Sequence, residues 1–323
     1  MSRPLFIHSA AAIGPRGILG QQRGPTNDSA GNLEKTLRGL CGPSVRQSSR
    51  FVVSAVAGAL LCTGRIPVVP ETGLYFATGL GDIRSAAALF DQTQEGQGRA
   101  SPFDFINVNA NTAAFQIARL IKLNGRNLTI TQSELSFEWA LRLAAADLRA
   151  GEKGALVGGV DERHLIDSEH RRRLVLPAGQ WAGEGSAWLQ ISENPANALG
   201  RLLQVSLWSQ TDAVPDLWAQ DMAAHIARIS PTKDLRILPG FRVDAELCAR
   251  LQAQMPDAIM TPYLEHCGSF HTAAAFAMVW ALHQPRRTTE TFAHVTRDVS
   301  GHNGLILFTA ETGAFDLIGG AYP

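Results

Sequence analysis

Apolar runs of two different periods alternate along the chain, and they predict strands followed by helices. Short apolar runs such as LFIHSAAAI (5–13) and GALVGGVDE (154–162) are typical of buried strands. The stretch NTAAFQIARLIKL (111–123) has the spacing of three and four residues that is typical of a helix, and Asn124-Gly125 would end it. In the first half we predict strands over 5–13, 72–81, 127–131, 154–162 and 186–192, and helices over 50–62, 83–91, 111–123 and 135–149.

The second half repeats this alternation. We expect the segments 186–192 and 201–209 to form a hairpin across residues 193–200, which is also the place where two halves would meet. Alternating strands and helices favour an α/β fold with largely parallel sheets covered by helices. The predicted strands of the second half are 201–209, 234–240 and 304–311, and the predicted helices are 216–229, 244–255 and 273–283.

Composition narrows the class of protein. The 323 residues are 45% hydrophobic, which is enough for a large core, and 29 basic residues balance 29 acidic ones. A net charge of zero argues against a nucleic-acid binder or a membrane-surface binder. We find no apolar run of ~18 residues and no signal peptide, and the four cysteines form no C-x-x-C pair. We therefore expect a cytoplasmic protein with reduced thiols, without a membrane span, a metal site or another cofactor.

The stretch TITQSELSFEWALRLAAADL (129–148) carries the main candidate for chemistry. It predicts a strand, a turn and an amphipathic helix, and it places Glu134 at the turn. Two explanations of this carboxylate stay open at this point. It is either an ordinary negative charge at a helix N-terminus, worth about 0.3–1 kcal/mol, or a residue at a functional position.

Four stretches, in this order, resemble the β-ketoacyl synthases of the thiolase superfamily. NGRNLTITQSELS (124–136) is similar to the family's segment around its nucleophile, and LVGGVDE (156–162) is similar to its A-G-G-x-E strand. WAGEGSAWLQIS (181–192) is similar to the G-E-G-A-G segment, and DVSGHNGLILF (298–308) resembles the closing loop and strand. The stretches SPFDFINVNANTAA (101–114) and YLEHCGSFHTAAAFAMVWAL (263–282) also resemble the family, so the likeness covers roughly residues 1–320.

The resemblance implies a thiolase-like, duplicated α/β fold with layers in the order α-β-α-β-α. Two pseudo-equivalent halves, residues 1–195 and a shortened 196–323, would share one core.

The resemblance also implies that the catalytic set is incomplete. The position of the cysteine nucleophile falls on Glu134, and a carboxylate is a weak nucleophile whose acyl product would be an anhydride. The first catalytic histidine falls on Pro239, and the lysine of the family falls on Thr261. Only the second histidine, at His266, is retained, and the aromatic gate of the closing loop falls on Val299. We expect Glu134 to fill the vacated position and to accept hydrogen bonds from the backbone amides there.

A ketosynthase-like chain without its nucleophile resembles a chain-length factor. That resemblance implies a heterodimer with a catalytic β-ketoacyl synthase subunit, contact with an acyl carrier protein, and a role in shaping the acyl tunnel. We expect work in fatty-acid or polyketide-type biosynthesis, and more narrowly in an aryl-polyene type system. The expected tunnel and interface residues are Phe103, Asp104, Phe105, Asn111, Leu128, Ile130 and Val299.

Two other functions stay open. Glu134 and His266 would serve a residual decarboxylase or acyltransferase, or the chain would be a structural homodimer that binds a hydrophobic ligand. Cys267, beside His266, is either a replacement nucleophile or an ordinary buried thiol. The run RHLIDSEHRRR (163–173) is either a solvated loop or a contact for an acidic carrier protein.

Overall fold

The structure is a computed structural model that describes residues 3–19, 30–45, 47–64, 66–94, 102–164, 166–176, 180–210, 214–229 and 234–312. Its strands are β1 Leu5–Gly14, β2 Gly17–Ile18, β3 Gly73–Ala77, β4 Asn127–Ile130, β5 Ala155–Asp161, β6 Gly185–Ser192, β7 Gly200–Ser209, β8 Leu235–Pro239, β9 Ile259–Met260, β10 Glu290–Arg297 and β11 His302–Ala310. Its helices are α1 Ala30–Cys41, α2 Arg50–Thr63, α3 Ile83–Gln94, α4 Pro102–Val108, α5 Asn111–Ile121, α6 Ser136–Arg149, α7 Asp167–Leu174, α8 Pro215–Ala227, α9 Ala245–Gln254, α10 Leu264–Cys267 and α11 Ala273–Leu282.

The strand order shows that one five-stranded unit occurs twice. The first unit has the order β4-β3-β5-β6-β1, and the second has the order β9-β8-β10-β11-β7. In both units the first three strands are parallel and the next two pairings are antiparallel. A short antiparallel pairing from Leu5–Leu202 to Ile7–Gly200 joins the units through β1 and β7. This repeat confirms the predicted α/β fold with two pseudo-equivalent halves.

Two details of the predicted sheet are wrong. β6 and β7 do not form a hairpin, because β1 lies between them and pairs with both. Nine of the ten residues of β1 are buried, and a strand buried on both faces is stabilised by a central place in the sheet. The sheet is also mixed rather than largely parallel, because β6, β1, β7 and β11 run in alternating directions.

Helices fill a central layer and two outer layers. α6 contacts β3, β4 and β5 of the first unit and also β7 and β11 of the second, while α11 contacts β1, β5 and β6 as well as β10. α11 is apolar all round, which is the pattern of a helix buried on every side, and only Trp280 in it is partly exposed. α2 and α5 pack on the outer face of the first unit, and α8 and α9 on that of the second.

Most elements lie where the hydrophobic pattern predicts them. The helix predicted over 50–62 is Arg50–Thr63, and the helix predicted over 273–283 is Ala273–Leu282. The interpretation of residues 163–173 as a loop is wrong, because Asp167–Leu174 form α7. Glu169 accepts hydrogen bonds there from Arg172 and Arg173, and pairs three and four residues apart stabilise a short polar helix.

Candidate functional site

Glu134 lies in a tight turn between the end of β4 and the start of α6. Ser133, in the left-handed conformation at φ 45°, begins this single 3-10 turn. The Ser136 hydroxyl stabilises it, because it accepts from the Gln132 N–H at 2.8 Å and donates to the Ser133 carbonyl at 2.7 Å. The turn directs Glu134 into the protein, where only 2% of the residue is exposed.

The partner of Glu134 is a guanidinium and not the predicted set of backbone amides. Arg242, in the loop after β8, donates from Nε to Glu134 Oε1 at 2.6 Å. The same guanidinium donates from Nη2 to the Leu174 carbonyl at the end of α7, at 2.9 Å, and lies over the Phe241 ring. Glu134 Oε2 is buried and has no hydrogen-bond partner among the described residues. The ion pair therefore joins the two halves and engages the carboxylate at the predicted nucleophile position.

A second buried carboxylate lies one helical turn further along, at Glu138. Its Oε1 accepts from the Thr296 hydroxyl at 2.6 Å, and burial raises the pKa of this carboxyl to about 7. Gly304 permits this close packing, because a Cβ there would lie 2.9 Å from the Leu135 side chain and 3.1 Å from Glu138 Cγ.

Glu138 is the end of a directed hydrogen-bond chain on β10. His294 Nε2 is 3.0 Å from the Tyr263 hydroxyl, and His294 Nδ1 is 3.1 Å from the Thr296 hydroxyl. Burial lowers the pKa of His294 to about 3, so its ring is neutral at pH 7. Because Thr296 donates to Glu138, the chain runs from Tyr263 O–H to His294 Nε2, from Nδ1–H to Thr296, and from Thr296 to Glu138.

The other predicted catalytic positions are not brought to Glu134. Pro239 is the last residue of β8 and pairs with Val295, and Thr261 donates its N–H to the Ile237 carbonyl. The His266 ring stacks on Trp280 with centroids 5.3 Å apart, and its side chain is 34% exposed. No contact within the described ranges links His266 to Glu134.

Cys267 is buried, and no hydrogen bond among the described residues joins it to Glu134 or Glu138. Burial holds the pKa of its thiol well above the ordinary value, so the thiol is protonated at neutral pH. This environment is that of a structural cysteine, because a nucleophilic cysteine requires a lowered pKa.

Sequence reasoning missed a buried histidine beside the Arg242 loop. His271 precedes α11 by two residues, and its ring meets the Phe241 ring edge-on at 6.0 Å. Its Nδ1 is buried and has no partner in the described part of the chain. The signal was present, since His271 lies only two residues before the apolar run of α11, whereas His266 is seven residues ahead of it. Arg242, three residues after Pro239, carried no comparable pattern.

Two of the predicted interface residues, Leu128 and Ile130, lie on an open sheet edge. β4 has only β3 as a neighbour among the described strands, and Leu128 and Ile130 on it are half-buried. Asn111 is the exposed first residue of α5, Phe105 on α4 is 64% exposed, and Val299 is exposed between β10 and β11. The side chains of Phe103 and Asp104, also in α4, lie outside the described residues.

Exposed apolar side chains flank this edge on both faces. Phe115 projects from α5, and Trp139 and Leu143 project from α6, and all are exposed. Trp139, Leu143 and Asp147 are spaced by four residues, and Asp147 accepts from Arg126 directly before β4. The stripe on α6 therefore runs alongside the open strand.

Two kinds of feature are not found. The described ranges contain no group of three or more histidine, cysteine or carboxylate side chains that could hold a metal ion. None of the described helices is both long enough and apolar enough to cross a membrane.

Comparisons with known proteins agree with this architecture. Residues 22–170 match the family model of the β-ketoacyl synthase N-terminal domain. No curated protein matches the chain by sequence. The fold is similar to that of the ishigamide ketosynthase/chain length factor, at 17% identity and a TM-score of 0.75 over 96% of this chain and 100% of that one.

Two further solved structures are similar in the same way. A type II polyketide synthase acyl-carrier protein in complex with its ketosynthase gives 14% identity and a TM-score of 0.72, over 96% of this chain and 100% of that one. The PfaC keto synthase–chain length factor gives 13% identity and a TM-score of 0.65, over 100% of this chain and 46% of that one. Residues 22–170 thus match a β-ketoacyl synthase model, and the fold is similar to that of solved ketosynthases and chain length factors.

Proposed function

We propose that this chain is a non-catalytic, chain-length-factor-like subunit that pairs with an active β-ketoacyl synthase and shapes its acyl tunnel. The observation that carries the proposal is the buried Glu134–Arg242 ion pair at the position of the nucleophile. A carboxylate paired with a guanidinium at 2.6 Å is a weaker nucleophile and a weaker base, because the neighbouring positive charge stabilises its ionised form. The chemistry of condensation therefore belongs to the partner.

The open edge at β4 supports pairing with a second protein of this fold. The Leu74 N–H donates to Arg126 O and the Thr78 N–H donates to Ile130 O, so alternate residues of β4 bond to β3. Asn127 and Thr129 therefore present their backbone groups to the open side. An exposed strand with apolar side chains on both flanks is a surface for adding another strand. A ketosynthase subunit that offers its own edge strand is the proposed partner.

The finer parts of the proposal rest on resemblance. We propose Phe103, Asp104 and Phe105 for the far end of the tunnel, and the Phe105 side chain is 64% exposed. An acyl carrier protein is the proposed source of the growing chain, as one of the similar structures holds a ketosynthase with its carrier protein. An aryl-polyene type system remains the narrower prediction.

A reconstituted complex tests which subunit carries the chemistry. We expect the isolated chain to show no condensation of acyl-carrier substrates. In the complex, Glu134→Gln should leave the condensation rate within about twofold, because Gln keeps a hydrogen bond to Arg242 and no step uses the carboxylate. Replacing the nucleophilic cysteine of the partner with serine should abolish product formation. The measurement is product formed per minute by mass spectrometry, with thermal melts confirming that each variant folds.

The same experiment separates the alternatives. Loss of decarboxylation or acyl transfer in Glu134→Gln and in His266→Gln would instead favour the residual enzyme. A stable homodimer that never captures a ketosynthase would favour the structural reading.

Trp139 provides a test of the docking surface. Trp139→Ala is expected to weaken binding to the ketosynthase by about 30-fold, because a tryptophan at the centre of an interface contributes about 2 kcal/mol or more. The measurement is the dissociation constant by biolayer interferometry, with the folded state checked by circular dichroism.

Trp181 is a matched control, since Trp139 and Trp181 are each 37% exposed. Trp181 lies before β6, away from the β4 edge, so Trp181→Ala should leave partner affinity within about twofold. Equal losses in the two variants would argue against an interface at β4.

A further inference from the structure

A surface cleft that the proposed function does not use lies between the β1–β2 turn and α11. It has a volume of about 290 Å³. This is close to the lower end of the roughly 300–1,000 Å³ range of small-molecule sites and about ten times the share of one water molecule. One wall is formed by Ile18 and Leu19, and the opposite wall by Phe276 and Trp280.

The walls are apolar and fixed. Phe276 is 1% exposed and belongs to the core, and Trp280 packs against the same core from its edge. Gly14 lets β1 approach α11 closely, because a Cβ there would lie 3.0 Å from the Phe276 ring. His266 stacks on Trp280 and extends the aromatic surface along the cleft. The shape therefore suits a flat, apolar group.

The charges at the cleft are of one sign. Arg16 lies at its rim, is exposed, and has no acidic partner among the described residues. No aspartate or glutamate lines the cleft. Glu265 does not line the cleft, and its Oε1 lies 3.4 Å from Nε2 of the lining residue His266. A free guanidinium matches the two oxygens of a carboxylate.

We propose that this cleft binds a small aromatic carboxylate, with its ring against Trp280 and its carboxylate at Arg16. The site places His266 in a binding role, which differs from the catalytic role that its sequence position implies. It does not depend on the proposed partnership with a ketosynthase, because every residue that it uses belongs to this chain.

The experiment uses the full chain labelled with 5-fluorotryptophan and titrated with 2-naphthoate, followed by ¹⁹F NMR. Trp280→Phe identifies the Trp280 signal. We expect 2-naphthoate to shift that signal with a dissociation constant of about 1 mM or tighter, as a ligand of this size allows. The neutral isostere 2-naphthamide should bind about 5- to 10-fold more weakly.

Two variants locate the charge. Arg16→Gln should reduce the affinity for 2-naphthoate to the level of the amide, and it should leave the affinity for the amide unchanged. Arg228→Gln, an exposed arginine at the end of α8, should change neither. The proposal is overturned if the Trp280 signal does not move, if acid and amide bind equally, or if both arginine variants lose the same affinity.

Discussion

Replacing Arg242 with methionine should lower the free energy of unfolding by about 3–5 kcal/mol, because the Glu134 carboxylate then stays buried without its cation. The side chains of Glu134 and Arg242 are 2% and 14% exposed, so water compensates little for the lost partner. The change also removes the hydrogen bond from Arg242 to the Leu174 carbonyl. Urea denaturation, followed by tryptophan fluorescence, measures the change in midpoint and in slope.

An exposed ion pair provides the control. Arg250 and Asp216 are paired at 2.9 Å, with side chains 47% and 55% exposed. Arg250→Met should therefore cost about 0–1 kcal/mol. The double replacement Arg242→Met with Glu134→Leu should recover most of the loss, because no buried charge then remains. If Arg242→Met costs no more than Arg250→Met, the pair does not hold the halves together.

The fold was largely predictable because its signals are local. α6 and α11 follow from apolar spacing, and the buried strands β3 and β5 follow from short apolar runs. The order of the strands was not predictable in the same way. Placing β1 between β6 and β7 brings Leu5 beside Leu202, and no local pattern specifies a pairing at that separation. The one hint in the sequence was the run of apolar residues in β1, which is typical of a strand buried on both faces.

The candidate site was predictable only where its residues belong to a local sequence pattern. Glu134 was predictable because a strand, a turn and a helix fix its place within a few residues. Its partner is 108 residues away, and a single arginine after a strand has no spacing that would identify it. The directed chain through Tyr263, His294 and Thr296 was missed for the same reason, since its members come from three separate segments.

The carboxylates of this region act together on the stability of the fold. Glu134 is neutralised by Arg242, while Glu138 one turn later has only the Thr296 hydroxyl. Burial, the hydrogen bond and the nearby charge of Glu134 set the pKa of Glu138, and burial is the largest of these causes. Ionisation of Glu138 therefore opposes folding, whereas the charge of Glu134 is compensated by Arg242.

Comparing Glu138→Gln with wild type should reveal the cost of ionising Glu138 as a dependence of the free energy of unfolding on pH. The folded pKa of Glu138, about 7, is above the ordinary value of 4.5, so the folded protein holds a proton that the unfolded chain has lost between these values. The stability that protonated Glu138 contributes to the fold is fully present below pH 4.5 and is lost as the pH rises to about 7. The difference between the two pKa values corresponds to about 3 kcal/mol. Gln stays neutral and still accepts from Thr296, so the variant should gain that amount relative to wild type across this window.

Comparing the two proteins removes the pH dependence that they share. The lowered pKa of His294 acts in the opposite direction, because protonation of the unfolded histidine removes stability as the pH falls below 6.5. His294 and the Glu134–Arg242 pair are present in both proteins, so the difference reports Glu138 together with its coupling to these neighbours. Glu246→Gln, at an exposed position on α9, should give a difference that is flat with pH. Urea midpoints at half-unit steps from pH 4 to 8 measure both curves, and parallel curves for Glu138→Gln and wild type would show that the pKa of Glu138 does not differ between the folded and unfolded protein.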